Sequence, residues 1–138
     1  MTSASTILPA PMHRAVRPGG ATLTRNVAPG VHRLEHAYVN CYLIEDAGEL
    51  TLVDTAFPAT WSLLLQAIQQ IGRTPSDVRA VVLTHAHFDH LGAARRAGEE
   101  WGVPIWAHPN EEYIARHPYR YEHESPRILY PVKHPASI

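Results

Sequence analysis

The sequence predicts an α/β domain, and three observations carry that reading. Short apolar runs end at Gly- or Pro-containing turn signals, two longer segments place apolar residues at helical spacing, and the two kinds alternate along the chain. Their order is strands, helix, strand, helix, strand, helix. Residues 1–20, rich in Ser, Thr, Ala and Pro, read as a loose N-terminal extension without a packed face. Residues 21–27 and 31–35 read as strands divided by the turn dipeptide Pro29-Gly30. Residues 38–45 and 50–54 flank Asp46-Ala47-Gly48, which predicts a hairpin with a glycine in its loop.

Trp61, Leu64, Leu65, Ile68 and Ile71 then recur at helical spacing, and Gly72 follows as a stop. The valine-rich run at 78–83 has the composition of a strand buried on both faces. Residues 91–101 continue as a helix ending at Gly102, with Arg95, Arg96, Glu99 and Glu100 on its wet side. A strand at 103–107 and a short helix at 109–116 complete the domain, which spans residues 21–116. Residues 117–138, punctuated by Pro118, Pro126, Pro131 and Pro135, read as an irregular tail.

Composition narrows the function. The chain has 138 residues, 45% of them hydrophobic and 18% charged, a single soluble domain with room for one core. Twelve Lys+Arg against thirteen Asp+Glu leave no basic excess for neutralising phosphates, so nucleic acid is not an expected partner. No apolar run is long enough for a membrane span. The single cysteine, Cys41, excludes an intrachain disulfide and reads as a small buried hydrophobe. The first twenty residues lack a continuous apolar stretch of the secretory kind, so the expected compartment is the cytoplasm.

Histidine stands out, with ten in the chain, and three of them crowd into Thr84-His85-Ala86-His87-Phe88-Asp89-His90. The segment lies where a strand ends and a helix begins, the place where open α/β sheets put their ligands. On an extended backbone His85 and His87 project to the same side and can share one metal. Asp89 and His90 follow after the chain has begun to turn, and so approach from another direction. Imidazole and carboxylate together suit Zn²⁺, with Mn²⁺ or Fe²⁺ as alternatives. Taken alone, Asp89 also has the chemistry of a helix N-cap.

The segment from His85 to His90 resembles the H-x-H-x-D-H motif of the metallo-β-lactamase superfamily. The resemblance runs over roughly residues 30–114 and includes Leu52-Val53-Asp54-Thr55 and Leu91-Gly92-Ala93. It implies the N-terminal half of an αββα sandwich with a one- or two-metal site. It further implies that His85 and His87 bind a first metal and Asp89 and His90 a second, with Asp54 behind them as an orienting group. The implied activity is hydrolysis of an ester, thioester or lactone in a small-molecule substrate, with water activated by zinc and Asp89 orienting that water or taking its proton. A histidine at position 90 favours hydrolases of the glyoxalase-II or lactonase type over β-lactamases that lack it.

The resemblance also implies ligands that do not appear. Family members add a further histidine to each metal and a bridging aspartate, from Gly-His-Thr-like and Gly-Asp-like contexts absent after His90. His108, His117, His123 and His134 lack those surroundings, and Ser125 lacks the flanking glycines of a serine hydrolase. The chain thus reads as the N-terminal half of a longer hydrolase. The alternative is an inactive remnant or a metal-binding interaction module, with self-association expected through uncovered sheet surface.

Overall fold

The computed structural model describes the backbone of residues 3–6 and all of residues 20–117. Seven strands form one sheet in chain order: β1 (Ser3–Thr6), β2 (Thr22–Ala28), β3 (Val31–His36), β4 (Val39–Asp46), β5 (Glu49–Val53), β6 (Val78–Val82) and β7 (Ile105–Trp106). The first five make an antiparallel meander, and β5, β6 and β7 run parallel. The helices are α1 (Trp61–Gln70), α2 (Phe88–Leu91), α3 (Ala94–Trp101) and α4 (Glu112–Arg116). Strand β1 falls inside the stretch read as a loose extension, and it pairs antiparallel with β2. The tail expected at 117–138, with His123, Ser125 and His134, lies outside the described residues apart from His117.

Tight turns set the register of the meander. At Pro29-Gly30 the proline supplies its fixed φ and Gly30, at φ 71°, the left-handed one, so Ala28 faces Val31. The expected hairpin at Asp46-Ala47-Gly48 closes through Ala47 and Gly48, both at positive φ, which matches the twist of the strands they join. Ala37 and Tyr38 close the β3–β4 hairpin in the same way. No sequence signal marks that turn, because neither residue is a customary left-handed one.

Alternation along the strands puts the core on one face. Leu23, Leu34, Cys41, Leu43, Leu50, Leu52 and Val81 point inward against Leu64, Ala67 and Ile68 of α1 and Ala94 and Ala97 of α3. Trp61 stacks on Trp101 at 4.7 Å between ring centroids, and the Arg96 guanidinium lies 4.7 Å from the Trp61 ring. These contacts tie α1 to α3. Cys41 is fully buried, and burial, followed by the nearby charge of Asp54, pushes its thiol up to about 12. It is an inert core group.

Two expectations need correction. Strand β6 is buried on one face only, since Val81 is enclosed while Val82 is 37% exposed. The register aligns Tyr42, Val53, Val82 and Trp106 on that other face, where none of the described elements covers Val82 or Trp106. An unbroken apolar run therefore does not mean a strand covered on both sides. The helix expected over 91–101 is also split, with α2 ending before Gly92 and α3 starting at Ala94. The break lies where Gly92 donates its N–H to the Ala56 carbonyl at 2.8 Å. A Cβ at that position would lie 2.3 Å from the same oxygen.

A polar cluster locks the far end of the sheet. Buried His32 accepts the Asn26 N–H at Nδ1, so its Nε2 carries the proton and donates to Glu45 at 2.6 Å. Arg73, just beyond α1, donates to the other Glu45 oxygen at 2.8 Å. Burial pushes the Glu45 carboxyl up, but the hydrogen bonds from Arg73 and His32 outweigh it and hold the group below the usual carboxylate range.

Two outcomes are expected. Gly92→Ala should destabilise the domain by about 2 kcal/mol or more, because the clash is with backbone that cannot swing aside, and thermal melting should show it. Because the Glu45 pKa is depressed on folding, its stabilisation is present above the unfolded-state carboxylate pKa and lost as pH falls through the folded value. Urea unfolding of wild type and Glu45→Gln should therefore differ by about 1 kcal/mol at pH 7 and converge in acid.

Candidate metal centre

The site is built on one end of the parallel strands. Beyond β5 the chain turns sharply at Asp54, whose φ is 62°. A left-handed conformation costs a non-glycine residue roughly 1–2 kcal/mol, so the surrounding hydrogen bonds must hold it. The Asp54 N–H donates to the Val82 carbonyl at 2.8 Å, extending the pairing of β5 with β6 by one step. Its neighbour Thr55 is fully buried and donates twice to the His90 carbonyl, from its N–H at 2.7 Å and its hydroxyl at 3.1 Å. The Thr55 hydroxyl in turn accepts the Ala93 N–H. The β5 end thereby grips both sides of α2.

Beyond β6, Asp54 organises the loop that carries the histidines. Its Oδ1 accepts the Thr84 N–H at 2.8 Å, and its Oδ2 accepts the Thr84 hydroxyl at 2.6 Å and His90 Nδ1–H at 2.8 Å. Burial alone would push the Asp54 carboxyl up; the bonds from His90 and Thr84 overcome this and hold it below its usual range. An ionised carboxylate only accepts, so the Thr84 proton points at Asp54. Thr84 Oγ1 is then left to accept from His85 Nδ1, 3.0 Å away. A single carboxylate sets the tautomer of two imidazoles, directly for His90 and through a hydroxyl for His85. Each ring keeps its Nε2 as the atom turned to other partners.

The rings are crowded. His85 and His90 lie 3.9 Å apart between centroids, and His85 and His87 4.8 Å apart. Burial, then the charges of His90 and His87, lower the His85 pKa, whereas the hydrogen bond to Asp54 raises that of His90. His90 Nε2 lies 3.8 Å from Asp89 Oδ1. Among the described residues, His85, Asp89 and His90 form a group whose donor atoms all come within 4.8 Å of one another. His87 stands at the N-cap of α2, beside His85 but outside that group.

A chain of ring contacts starts from Phe88, which lies between His87 and Asp89 in sequence. Phe57 packs against Phe88 at 6.3 Å and meets the His36 ring edge-on at 5.9 Å, while His36 Nδ1 bonds the Thr60 hydroxyl at 2.8 Å. His108 and His117 are exposed; the first accepts the Asn110 N–H at the turn before α4, and the second stacks on Tyr113. Neither belongs to the group. The sequence marks Asp54 and includes Thr55 and Thr84 in its motifs without a role for either, and it leaves Glu111 unmarked, which accepts the Ala86 N–H at 3.1 Å. The adjacency of Thr84 to His85 and of Thr55 to Asp54 was the available signal. Glu111 offered none.

Comparison with known proteins identifies the family. The sequence profile described as "Metallo-beta-lactamase superfamily" matches residues 35–137. The probable metallo-hydrolase YflN of Bacillus subtilis is 33% identical over 87 residues, which cover 61% of this chain and 33% of that protein. The hydroxyacylglutathione hydrolase GloC of Haemophilus influenzae is 34% identical over 68 residues, 49% of this chain and 30% of that protein. Among solved structures, the subclass B3 metallo-beta-lactamase BJP-1 of Bradyrhizobium japonicum has a TM-score of 0.58 at 25% identity, covering 62% of this chain and 32% of its own. The FEZ-1 metallo-beta-lactamase of Legionella gormanii, at 16% identity and a TM-score of 0.61, covers 69% of this chain and 38% of its own, and shares the fold. This chain spans about a third of the length of the curated relatives named here. With a profile match over most of its residues and an α/β sheet that ends in a histidine-rich loop, the chain belongs to the metallo-beta-lactamase superfamily.

Proposed function

We propose that the chain forms the metal-binding part of a metal-dependent hydrolase that uses water to open an ester, thioester or lactone carbonyl in a small molecule. The observation that carries this reading is the convergence of His85, Asp89 and His90 on one point, in a loop held by Asp54. Two imidazoles and a carboxylate are a donor set suited to Zn²⁺, and three protein donors are what catalytic zinc sites hold. His85 and His90 would offer Nε2 and Asp89 a carboxylate oxygen, with His87 beside them as a further donor. The chemistry such an ion supplies is a water pKa lowered from about 15.7 to about 7 and a polarised carbonyl.

The chain's own residues do the rest. Asp54 and Thr84 keep both Nδ1 protons in place, so the rings meet a cation with the lone pair of Nε2 and without reorienting. To Asp89, partly exposed at the start of α2, we assign the orienting of a water, whose proton it would accept at a carboxylate oxygen. A second reading, a metal-binding module without turnover, draws on one observation: all three donors come from a single short segment.

Two experiments test these readings. The purified chain should take up zinc and hydrolyse a generic thioester, and His85→Ala should lose both by at least about tenfold. Zinc uptake without turnover would support the second reading, and absence of uptake would end both. In ¹⁵N-resolved spectra of the metal-free chain, His85 and His90 should carry their protons on Nδ1. Thr84→Val should release His85 from that tautomer and leave His90 unchanged, whereas Asp54→Ala should disturb both. Either substitution should weaken zinc binding by roughly 10–100-fold, measured by competition with a chromophoric chelator.

A further inference from the structure

The loop between β6 and α2 lacks the repeating backbone bonds of a strand or helix, so its shape depends on what its individual N–H groups find. The Leu83 N–H reaches the Trp106 carbonyl at 2.8 Å, and the Thr84 N–H reaches Asp54. Two residues on, the N–H of fully buried Ala86 reaches Glu111 Oε1 at 3.1 Å, across 25 positions of sequence. Ala86 is the residue between His85 and His87, and its peptide sets the relation between their two side chains.

Glu111 is itself held. It closes the helical turn Pro109–Glu111, where its N–H donates to the His108 carbonyl at 2.8 Å and His108 Nδ1 caps the Asn110 N–H. Helix α4 follows directly and is anchored by Ile114, which is fully buried. The loop is therefore gripped by two carboxylates from different parts of the chain, Asp54 beyond β5 and Glu111 after β7.

We infer that Glu111 is a positioning residue for the metal centre: its carboxylate holds the Ala86 peptide, and so the spacing of His85 and His87, before any ion arrives. The inference rests on the proposed metal-binding function for its consequence, but the hydrogen bond is testable without metal. It assigns α4 a task as well, since that helix carries no donor of its own in the described group yet fixes the residue that shapes the loop.

The test uses the full chain and three substitutions that separate hydrogen bonding from charge. Glu111→Gln keeps an acceptor oxygen at the same reach and removes the charge. Glu111→Asp keeps the charge on a side chain one methylene shorter, and Glu111→Ala removes both. Amide exchange in the metal-free chain should be at least tenfold faster at Ala86 in the Ala and Asp variants, unchanged at Thr84, and restored to within about threefold in the Gln variant. Zinc affinity by chelator competition should follow the same order, falling roughly 10–100-fold in the Ala and Asp variants and little in Gln. Wild-type behaviour in the Ala variant, or an Asp variant that matches wild type while Gln fails, would overturn the inference. If Glu111→Ala does not fold, the Asp and Gln pair still decides. A wild-type chain that takes up no zinc defeats the proposed function alone, and the exchange comparison continues to report on the clamp.

Discussion

One buried carboxylate organises the histidine-bearing end of this domain. Asp54 accepts three hydrogen bonds, two from Thr84 and one from His90, and those bonds join the end of β5 to the loop after β6 and to helix α2. Those bonds fix the orientation and the proton position of two imidazoles, His90 directly and His85 through the Thr84 hydroxyl. The cost is local: Asp54 sits in a left-handed conformation and gives up most of its contact with water. Paired donors compensate for the lost hydration, as they must for a buried charge.

The rest of the fold keeps that carboxylate in place. The parallel pairing of β5 and β6 sets the two strand ends side by side, and the Asp54 N–H bond to Val82 continues the ladder into the site. Thr55 then clamps α2 from below through the His90 carbonyl and the Ala93 N–H. Gly92 allows the backbone of α2 to lie directly on Ala56 and Phe57, an approach closed to any residue with a Cβ. Rigidity here comes from backbone and buried side chains rather than from a long helix. The split between α2 and α3 is the consequence.

The two faces of the sheet contrast in the same terms. On one, leucines of four consecutive strands meet α1 and α3 in a closed core. On the other, Tyr42, Val53, Val82 and Trp106 line up across four strands, and Trp106 is 61% exposed. The centre lies where the parallel strands end, so the loop after β6 draws on groups from both its neighbours, β5 and the turn after β7.

Periodicity and turn chemistry are local properties, and the sequence by itself determined what depends on them: strands β2 to β6, helix α1, the turns at Gly30 and Gly48, and a histidine cluster at a strand end. The Ala37-Tyr38 turn escaped because its residues hold their left-handed conformation only within the finished hairpin. The split at Gly92 escaped because it answers to a backbone more than thirty residues away. The six residues from His85 to His90 were legible as a cluster of potential metal donors, but which of their donor atoms lie close together was not. That depended on Asp54 and Thr84 fixing the rings, and on Glu111 holding the peptide between two of them. Hydrogen bonds between residues 25 to 36 positions apart leave no periodic trace in a chain, so only the tertiary structure could decide them.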